Sequence, residues 1–394
     1  MRMKCRFVAS LLAGSLLILT SCSNKPPTSA SPASGSGFLW VAAQGNNTIS
    51  AFTLNLATGN PTQDSDSIDG GLAPGAIVIT PDGSTIFLAS KSPDSSGNYD
   101  ISSYSVNSNG TLAPGSNTAL NGAITPVSMT LDPSGKILFV VNQGSDNISV
   151  LSVNGTTLTE VAGSPFSDVD PNNPAMRPGP TSIAATPAGA YLYVANQLTN
   201  TVSAFQYDST GALSPLSPFI YQAGTNPTGV AISRNVQVNS QSTLPHFLYV
   251  ANSGSNNVSG FSICDVVSAN CLNPTGRLTQ LSDSPYPAGI NPVYIAVNPV
   301  YNGVYVVDQG SNEISMFKWS TSTGSLTVLS PPSVSTGAGP TWAQVHPDGV
   351  WVYVINSGAS SVSIYSVGAA SPLLGPLSTG PFQVSPQPSA LQLR

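Results

Sequence analysis

The side chains best suited to chemistry in this chain recur at one fixed point of an internal repeat. In five copies of the repeat, an amide or a carboxylate ends the same alternating strand. These residues are Asn142, Asn196, Asn252, Asp308 and Asn356. Brought together in a ring, they could bind a small polar ligand. Alternatively, each Asn closes its own turn by bonding nearby backbone, as Asn readily does.

Few residues could support hydrolysis. Cleavage of an ester needs a general base or a metal-bound water, and a cation or hydrogen-bond donors for the oxyanion. The chain has only two His and 11 Lys and Arg in 394 residues. Asp308 is a candidate base, as are Asp168 and Asp170, which otherwise belong to a solvated loop. Arg177, in the same connection, is either an anchor for an anion or a surface charge.

The element that positions these residues is a pair of alternating strands joined by a short polar turn, clearest at residues 193–205. Seven near-copies place a Ser at the same offset of the second strand in each pair. These are Ser50, Ser102, Ser149, Ser203, Ser259, Ser315 and Ser363. Short strands that recur with a period of about 40–60 residues are typical of a propeller with one blade per repeat. We therefore predict an all-β fold, a seven-bladed β-propeller with four antiparallel strands per blade, over residues 38–394.

The two ends of the repeat region indicate how such a ring closes. Each unit begins with a strand led by Pro or Gly, followed by a turn such as Pro81-Asp82-Gly83, in which Pro sets φ and Gly permits positive φ. The first unit starts at Phe38 without this leading strand. Residues 388–393 match the missing piece. We predict that the C-terminal strand completes the N-terminal blade; the alternative is a free tail.

Two aromatic residues stand out in the leading strands. Tyr294 and Trp342 occupy an offset that is small in the other blades. They could line the central funnel and stack on a ring-shaped ligand, or they could pack between blades 6 and 7.

The two His, His246 and His346, map to the face opposite the expected ligand mouth, which argues against a histidine base there.

The first residues read as a targeting segment. A basic start and a short apolar run precede Leu19-Thr20-Ser21-Cys22, which resembles the bacterial lipobox. We predict a lipoprotein signal peptide at residues 1–21, lipidation of Cys22 and a flexible tether over residues 22–37. An ordinary signal peptide with an incidental Cys is the alternative. Since Ser23 rather than Asp follows the cysteine, the resemblance implies export to the cell envelope and the outer membrane.

Two further cysteines, Cys264 and Cys271, remain for the mature chain. An oxidising compartment favours a disulfide between them; free thiols and a metal pair are the alternatives. No His or second Cys pair lies near enough in sequence to complete a metal site. The acidic run at residues 64–69 lacks the bidentate Glu of a calcium loop. We predict a disulfide, no metal and no cofactor.

The strand motifs resemble a known family. Leu-Tyr-Val-Ala-Asn occurs at residues 192–196 and again at 248–252, and Asn-Pro-Thr-Gly-Val-Ala begins at Asn226. These motifs, with the Pro-Asp-Gly turns, resemble the YVTN repeat of the seven-bladed lactonase-type propellers, which include bacterial 6-phosphogluconolactonase-like proteins. The resemblance implies the propeller fold and, as one activity, lactone hydrolysis. One propeller scaffold hosts many functions.

The charge of the chain limits the classes of function that we expect. The formal net charge is −6 and no basic stripe is present, so nucleic-acid binding is not expected. Scarce cations also argue against a phosphosugar substrate. We expect a monomeric, envelope-anchored module that binds a small polar molecule, a glycan or a protein. The alternatives are a hydrolase of non-phosphorylated lactones and a surface protein associated with carbohydrate or peptidoglycan.

Overall fold

A computed structural model describes residues 36–64, 67–233, 246–267, 271–368, 371–377 and 380–394. The predicted signal peptide, the lipidation site Cys22 and the tether up to residue 35 lie outside these residues, as does the long first turn of blade 5. The described chain is built from strands and turns without a helix. Accordingly, none of its described segments forms a helix long and apolar enough to cross a bilayer.

In the described residues, 32 strands form seven antiparallel sheets, one for each predicted repeat. Blade 1 contains β1 (Ser36–Ala43), β2 (Thr48–Asn55), β3 (Pro61–Gln63), β4 (Ile68–Asp69) and the C-terminal β32 (Pro388–Leu393). Blade 2 contains β5 (Pro74–Ile79), β6 (Thr85–Ser90), β7 (Asp100–Val106) and β8 (Leu112–Ala119). Blade 3 contains β9 (Pro126–Leu131), β10 (Ile137–Asn142), β11 (Asn147–Asn154), β12 (Thr157–Glu160) and β13 (Phe166–Ser167).

The remaining four blades repeat this plan. Blade 4 contains β14 (Pro180–Ala185), β15 (Tyr191–Asn196), β16 (Thr201–Tyr207) and β17 (Leu213–Gln222). Blade 5 contains β18 (Pro227–Ile232), β19 (Phe247–Asn252), β20 (Asn257–Ile263), β21 (Leu278–Gln280) and β22 (Tyr286–Pro287). Blade 6 contains β23 (Pro292–Val297), β24 (Gly303–Asp308), β25 (Glu313–Trp319) and β26 (Leu326–Ser335). Blade 7 contains β27 (Pro340–Val345), β28 (Trp351–Asn356), β29 (Ser361–Val367), β30 (Leu374–Pro376) and β31 (Phe382–Gln383).

Each blade has four strand positions. In blades 2, 4 and 6 the outermost position is filled by one continuous strand, whereas in the other blades it is filled by two short strands that both pair with the third strand. The first strands of successive blades lie side by side around the central channel. The structure therefore confirms the seven-bladed propeller with four antiparallel strands per blade.

The core lies between blades rather than inside any one of them. Successive side chains of a strand point to opposite faces of its sheet, so each second strand packs against both neighbouring blades. In blade 4, Tyr193 belongs to a cluster shared with blade 5, whereas Val194 belongs to one shared with blade 3. Seven such clusters join the seven pairs of adjacent blades.

The aromatic residue of the repeated motif also carries a hydrogen bond to the next blade. The Tyr193 hydroxyl donates to the carbonyl of Gly276 at 2.6 Å, and Tyr249 donates to that of Gly324 at 2.7 Å. The same contact recurs with Tyr305, Tyr353 and, through its indole N–H, Trp40. Burial of the ring and satisfaction of its polar tip explain why Tyr suits this position.

The ring is closed by the C-terminal strand, as predicted. β32 pairs with β1 in antiparallel register, with Val41 opposite Leu391 and Ala42 opposite Ala390. The N–H of Phe38 donates to the carbonyl of Arg394 at 2.8 Å, and Arg394 returns a bond at 3.0 Å. The free-tail alternative is thereby excluded.

Candidate functional site

One face of the propeller gathers the hairpins between second and third strands and the connections that enter each blade; we call it the mouth face. In every blade, the residue after the second strand donates its N–H to the residue just before the first strand, as Gln143 does to Thr125 at 3.0 Å. That acceptor residue has positive φ in all seven blades: Ala73, Thr125, Gly179, Asn226, Asn291, Gly339 and Gln387. The backbone therefore enters the first strand in the same conformation in each blade.

The repeated Asn residues lie at this face but are fully buried. Each side-chain amide donates to the recurring Ser of the third strand, for example Asn196 to Ser203 at 2.6 Å. The other pairs are Asn142–Ser149 at 2.9 Å, Asn252–Ser259 at 3.0 Å and Asn356–Ser363 at 2.9 Å. The amides therefore fasten their own hairpins, through a side chain rather than through backbone alone. Ligand binding by these residues stays a prediction.

Asp308 takes the place of Asn in blade 6. One of its oxygens accepts from the hydroxyl of Ser315 at 2.6 Å and from its N–H at 3.0 Å, and the other has no partner. Burial, opposed by these hydrogen bonds, raises the pKa of Asp308 to about 6. The side chain is 0% exposed. Its predicted role as a base stays untested, and its enclosure keeps bulk solvent from the carboxylate.

A second set of hairpin residues, absent from the sequence-based candidates, joins neighbouring blades. Asn200 has a φ of 59° and its side-chain oxygen accepts the N–H of Asn226, which precedes the next blade, at 2.8 Å. Asn47, Asp146, Asn256 and Asn312 make the same bond to the next blade's connection. We call these five residues the inter-blade clamp. Their recurrence after the turn was visible in the sequence, but the partner was not.

Arg177 is held by one member of this clamp. Its guanidinium pairs with the second oxygen of Asp146 and also donates to the carbonyl of Gly144 at 3.1 Å. Asp146 is buried, whereas Arg177 is exposed. The structure thus fixes the guanidinium beside the connection into blade 4. Anion binding by Arg177 stays a prediction.

A small cleft opens between the connection that leads from blade 3 into blade 4 and the hairpin of blade 4, next to Arg177. It contains about 50 Å³ of free space, enough for a few ordered waters or for the polar edge of a larger ligand. We call it the blade 3–4 cleft. Its lining residues are Asp168, Asp170, Asn173, Met176, Pro178, Thr199 and Ile220.

Asp168 is the unusual group in this cleft. It is fully buried, one oxygen accepts from the hydroxyl of Ser203, and the other oxygen has no partner. Burial raises the pKa of Asp168 well above its ordinary value, with a further contribution from nearby Asp146. Asp168 is thereby favoured as a neutral acid that can donate a hydrogen bond. Asp170 is half-buried and accepts from the N–H of Asn172 at 2.9 Å.

Tyr294 and Trp342 come together where blades 6 and 7 meet. Their ring centroids are 4.4 Å apart and the rings are stacked at 27°. Trp342 also packs against apolar residues of blade 1, including Leu391, and its indole N–H has no partner. The two rings therefore pack on each other between blades, which leaves stacking on a ligand a prediction.

The opposite face carries both histidines and the disulfide. His246 lies 2.6 Å from Asp265, and His346 lies 2.9 Å from Asp348, each through Nδ1. Cys264 and Cys271 form a disulfide in the connection between β20 and β21, as predicted. Among the described residues, no three His, Cys, Asp or Glu side chains gather where they could hold a metal ion.

Solved structures with the same fold include a candidate 6-phosphogluconolactonase from Bacteroides uniformis. It is 18% identical, with a TM-score of 0.74 over 91% of this chain and 99% of that one. The periplasmic gluconolactonase of Pseudomonas aeruginosa is 20% identical, with a TM-score of 0.71 over 91% and 99%. A protein from Lactobacillus plantarum is 17% identical, with a TM-score of 0.73 over 91% and 100%. At these identities the likeness establishes the fold alone.

A comparison with curated proteins gave no match. The family model described as lactonase, 7-bladed beta-propeller, matches residues 61–165, 166–269 and 265–377. These matches span most of the chain, and they agree with the blade count and with the Tyr-containing strands described above. The chain therefore belongs to the lactonase family of seven-bladed β-propellers.

Proposed function

We propose that this protein is an envelope-anchored propeller whose mouth face binds a small, polar, non-phosphorylated ligand. The lipobox-like sequence around Cys22 supports the anchor. The scarcity of cations at the mouth face speaks against a phosphorylated ligand, which would need several. Membership of the lactonase family favours a sugar lactone or a related polyol.

The observation that carries the proposal is the free oxygen of Asp168 in the blade 3–4 cleft. A buried polar atom without a partner is costly, and a bound hydroxyl or carbonyl would satisfy it. Thr199 and Asn173 add hydrogen-bonding groups, while Met176 and Ile220 add apolar surface. This mixture suits a sugar ring, which has polar edges and apolar faces.

Binding can be measured by calorimetry with glucono-δ-lactone, glucose and galactose on residues 36–394. We expect Asp168→Ala to weaken binding of the preferred compound at least tenfold. Asp208→Ala is the matched control, because Asp208 is an exposed acid in the turn after the third strand of blade 4. Equal affinities of the Asp168 variant and the wild type would contradict the cleft as the binding site.

A second candidate is hydrolysis of a non-phosphorylated lactone, favoured by the family and by the neutral form of Asp168. In this reaction a water oxygen bonds to the carbonyl carbon, and the bond between that carbon and the ring oxygen breaks. Asp168 would give its proton to the departing ring oxygen, and Asp170 in the same cleft would take the proton of the attacking water. The product is a hydroxy acid.

A panel of lactones separates binding from hydrolysis. If the second candidate holds, Asp168→Asn retains binding but loses turnover at least a hundredfold, the scale of general acid catalysis. Turnover of the wild type falls as pH rises through the raised pKa of Asp168, because the donating form is lost. Turnover that persists in Asp168→Asn would contradict Asp168 as the acid, whereas no turnover of any lactone by the wild type would leave the protein a binding module.

The anchor needs its own test. Radiolabelled palmitate supplied to the expressing bacterium should enter the wild type and not Cys22→Ala, and the wild type should fractionate with outer membranes. Sedimentation with purified peptidoglycan tests the surface-glycan alternative. Label in Cys22→Ala, or an unlabelled wild type, would contradict the lipid anchor.

A further inference from the structure

One lysine of the mouth face lies against the innermost strand of its blade. Lys91 follows β6 and its N–H donates to Ala73 at 3.0 Å. Its aliphatic stem lies across Gly75 of the innermost strand, where an added Cβ would come within 2.3–2.6 Å of three side-chain carbons of Lys91. The absence of a side chain at Gly75 therefore makes room for Lys91.

The equivalent position in other blades shows which space Lys91 occupies. Thr181, Thr228 and Ser389 stand where Gly75 does, as the second residue of their first strands. The hydroxyl of Thr181 donates to the carbonyl of Pro227 at 3.0 Å, and that of Thr228 donates to Pro292 at 2.9 Å. Each reaches the innermost strand of the next blade, so this space borders the channel.

Among the described residues, no carboxylate forms an ion pair with Lys91; the ion pairs there involve Arg177, His246 and His346. Desolvation lowers the pKa of Lys91. Lys91 is half-buried, so its ammonium group loses part of its hydration. A bound anion would compensate for that loss.

The neighbouring positions in the ring are neutral. The residue after the second strand is half-buried in all seven blades. In the other six it is Gln44, Gln143, Gln197, Ser253, Gln309 and Ser357. Amides and hydroxyls can bond to hydroxyl groups but add no charge. A single ammonium among such groups suits a singly charged, hydroxylated anion better than a phosphate dianion, which is commonly held by several cations or by Arg forks.

We propose that Lys91 forms a binding subsite for the carboxylate of a sugar acid at the mouth of the central channel. This subsite rests on the proposed function and extends it, because it specifies an anionic ligand for the mouth face. It uses no residue of the blade 3–4 cleft. An acid of this kind is also what hydrolysis of a sugar lactone would release.

Calorimetry at low ionic strength with sodium gluconate tests the subsite, with glucose and inorganic phosphate for comparison. We expect Lys91→Met to weaken gluconate binding at least tenfold. Gly75→Ala keeps the charge but displaces the stem, and we expect a similar loss. Lys136→Met is the control, because Lys136 is exposed in the first turn of blade 3 on the opposite face. Circular dichroism checks that each variant folds.

A second readout follows the ammonium group itself. After reductive methylation with ¹³C-formaldehyde, the signal lost in Lys91→Met identifies Lys91, and gluconate should raise its pKa. Equal gluconate affinity in Lys91→Met, no gluconate binding, or tighter binding of phosphate than of gluconate would overturn the proposal. Since Asp168→Ala tests the cleft with neutral compounds, failure of one site can be told from failure of the other.

Discussion

At the scale of single residues, the recurring Ser of each third strand explains why Asn ends the second strand so often. The Ser is buried in all seven blades. It accepts an amide hydrogen in four blades, and it donates to a carboxylate from Ser315 to Asp308 and from Ser203 to Asp168. An amide satisfies this position without charge, whereas an acid there must take up a proton or remain a buried ion.

We predict that Asp308→Asn stabilises the protein at neutral pH. A folded pKa of about 6 lies above the unfolded value of about 3.9. The stability that Asp308 contributes is therefore fully present below about pH 4 and is lost as pH rises through 6, by at most roughly 3 kcal/mol. Urea denaturation midpoints between pH 4 and 8 should fall less steeply for the variant than for the wild type.

The reciprocal change serves as the control. Asn356 occupies the same buried position in blade 7, so Asn356→Asp should introduce a loss of stability as pH rises. A lower stability of Asp308→Asn at pH 7 would mean that the carboxylate makes a bond that the amide cannot replace.

At the scale of elements, neighbouring blades are joined at both faces by side chains of the repeat. On the mouth face the inter-blade clamp bonds five of the seven hairpins to the next connection, as in Asn200 to Asn226. On the other face the motif aromatic bonds the next blade's turn, as in Tyr193 to Gly276. These bonds add direction to apolar packing that is otherwise non-directional.

The clamp can be dissected at Asn200, whose φ is positive. Asn200→Asp keeps the acceptor and should be nearly neutral, because Asp146 does the same in blade 3. Asn200→Gly keeps the conformation but loses the bond, at a cost of about 1 kcal/mol. Asn200→Ala loses both and should cost about 2–3 kcal/mol. Denaturant unfolding measures the series; equal stability of the Ala and Asp variants would refute the clamp.

The sequence was enough to predict hairpins and their number, because alternation and turn chemistry are local and were repeated seven times. It was also enough to place Asp168 and Arg177 in one connection. It was not enough to predict that Asp168 is buried or that Arg177 meets Asp146, since these depend on how one blade sits against the next. Lys91 was missed because its importance depends on an absent side chain, that of Gly75.

At the scale of the whole molecule, the first and last strands of the propeller lie in one sheet. Leu391 and Ala390 of β32 are fully buried, and the Ser389 hydroxyl reaches the carbonyl of Pro74 in blade 2. The C-terminal strand thus contacts its own blade and the next one. Without it, the inner edge of β1 would present unpaired backbone groups.

We predict that removing residues 388–394 abolishes cooperative unfolding and promotes aggregation. A synthetic peptide of residues 386–394, added in trans, should restore a thermal transition close to that of the full chain, because it can supply the missing strand. A peptide with Leu391→Asp serves as the control and should fail. A truncated protein that melts like the full chain would show that the ring does not depend on this strand.

The chain enters blade 1 on the face that bears the turns between first and second strands. Ser36 begins β1 on that side, where the guanidinium of Arg394 donates to the carbonyl of Gly83 at 3.0 Å. Residues 22–36 span at most roughly 50 Å when fully extended. A lipid on Cys22 would therefore attach the propeller through the face opposite the mouth face, so that the point of attachment lies away from Lys91 and the blade 3–4 cleft.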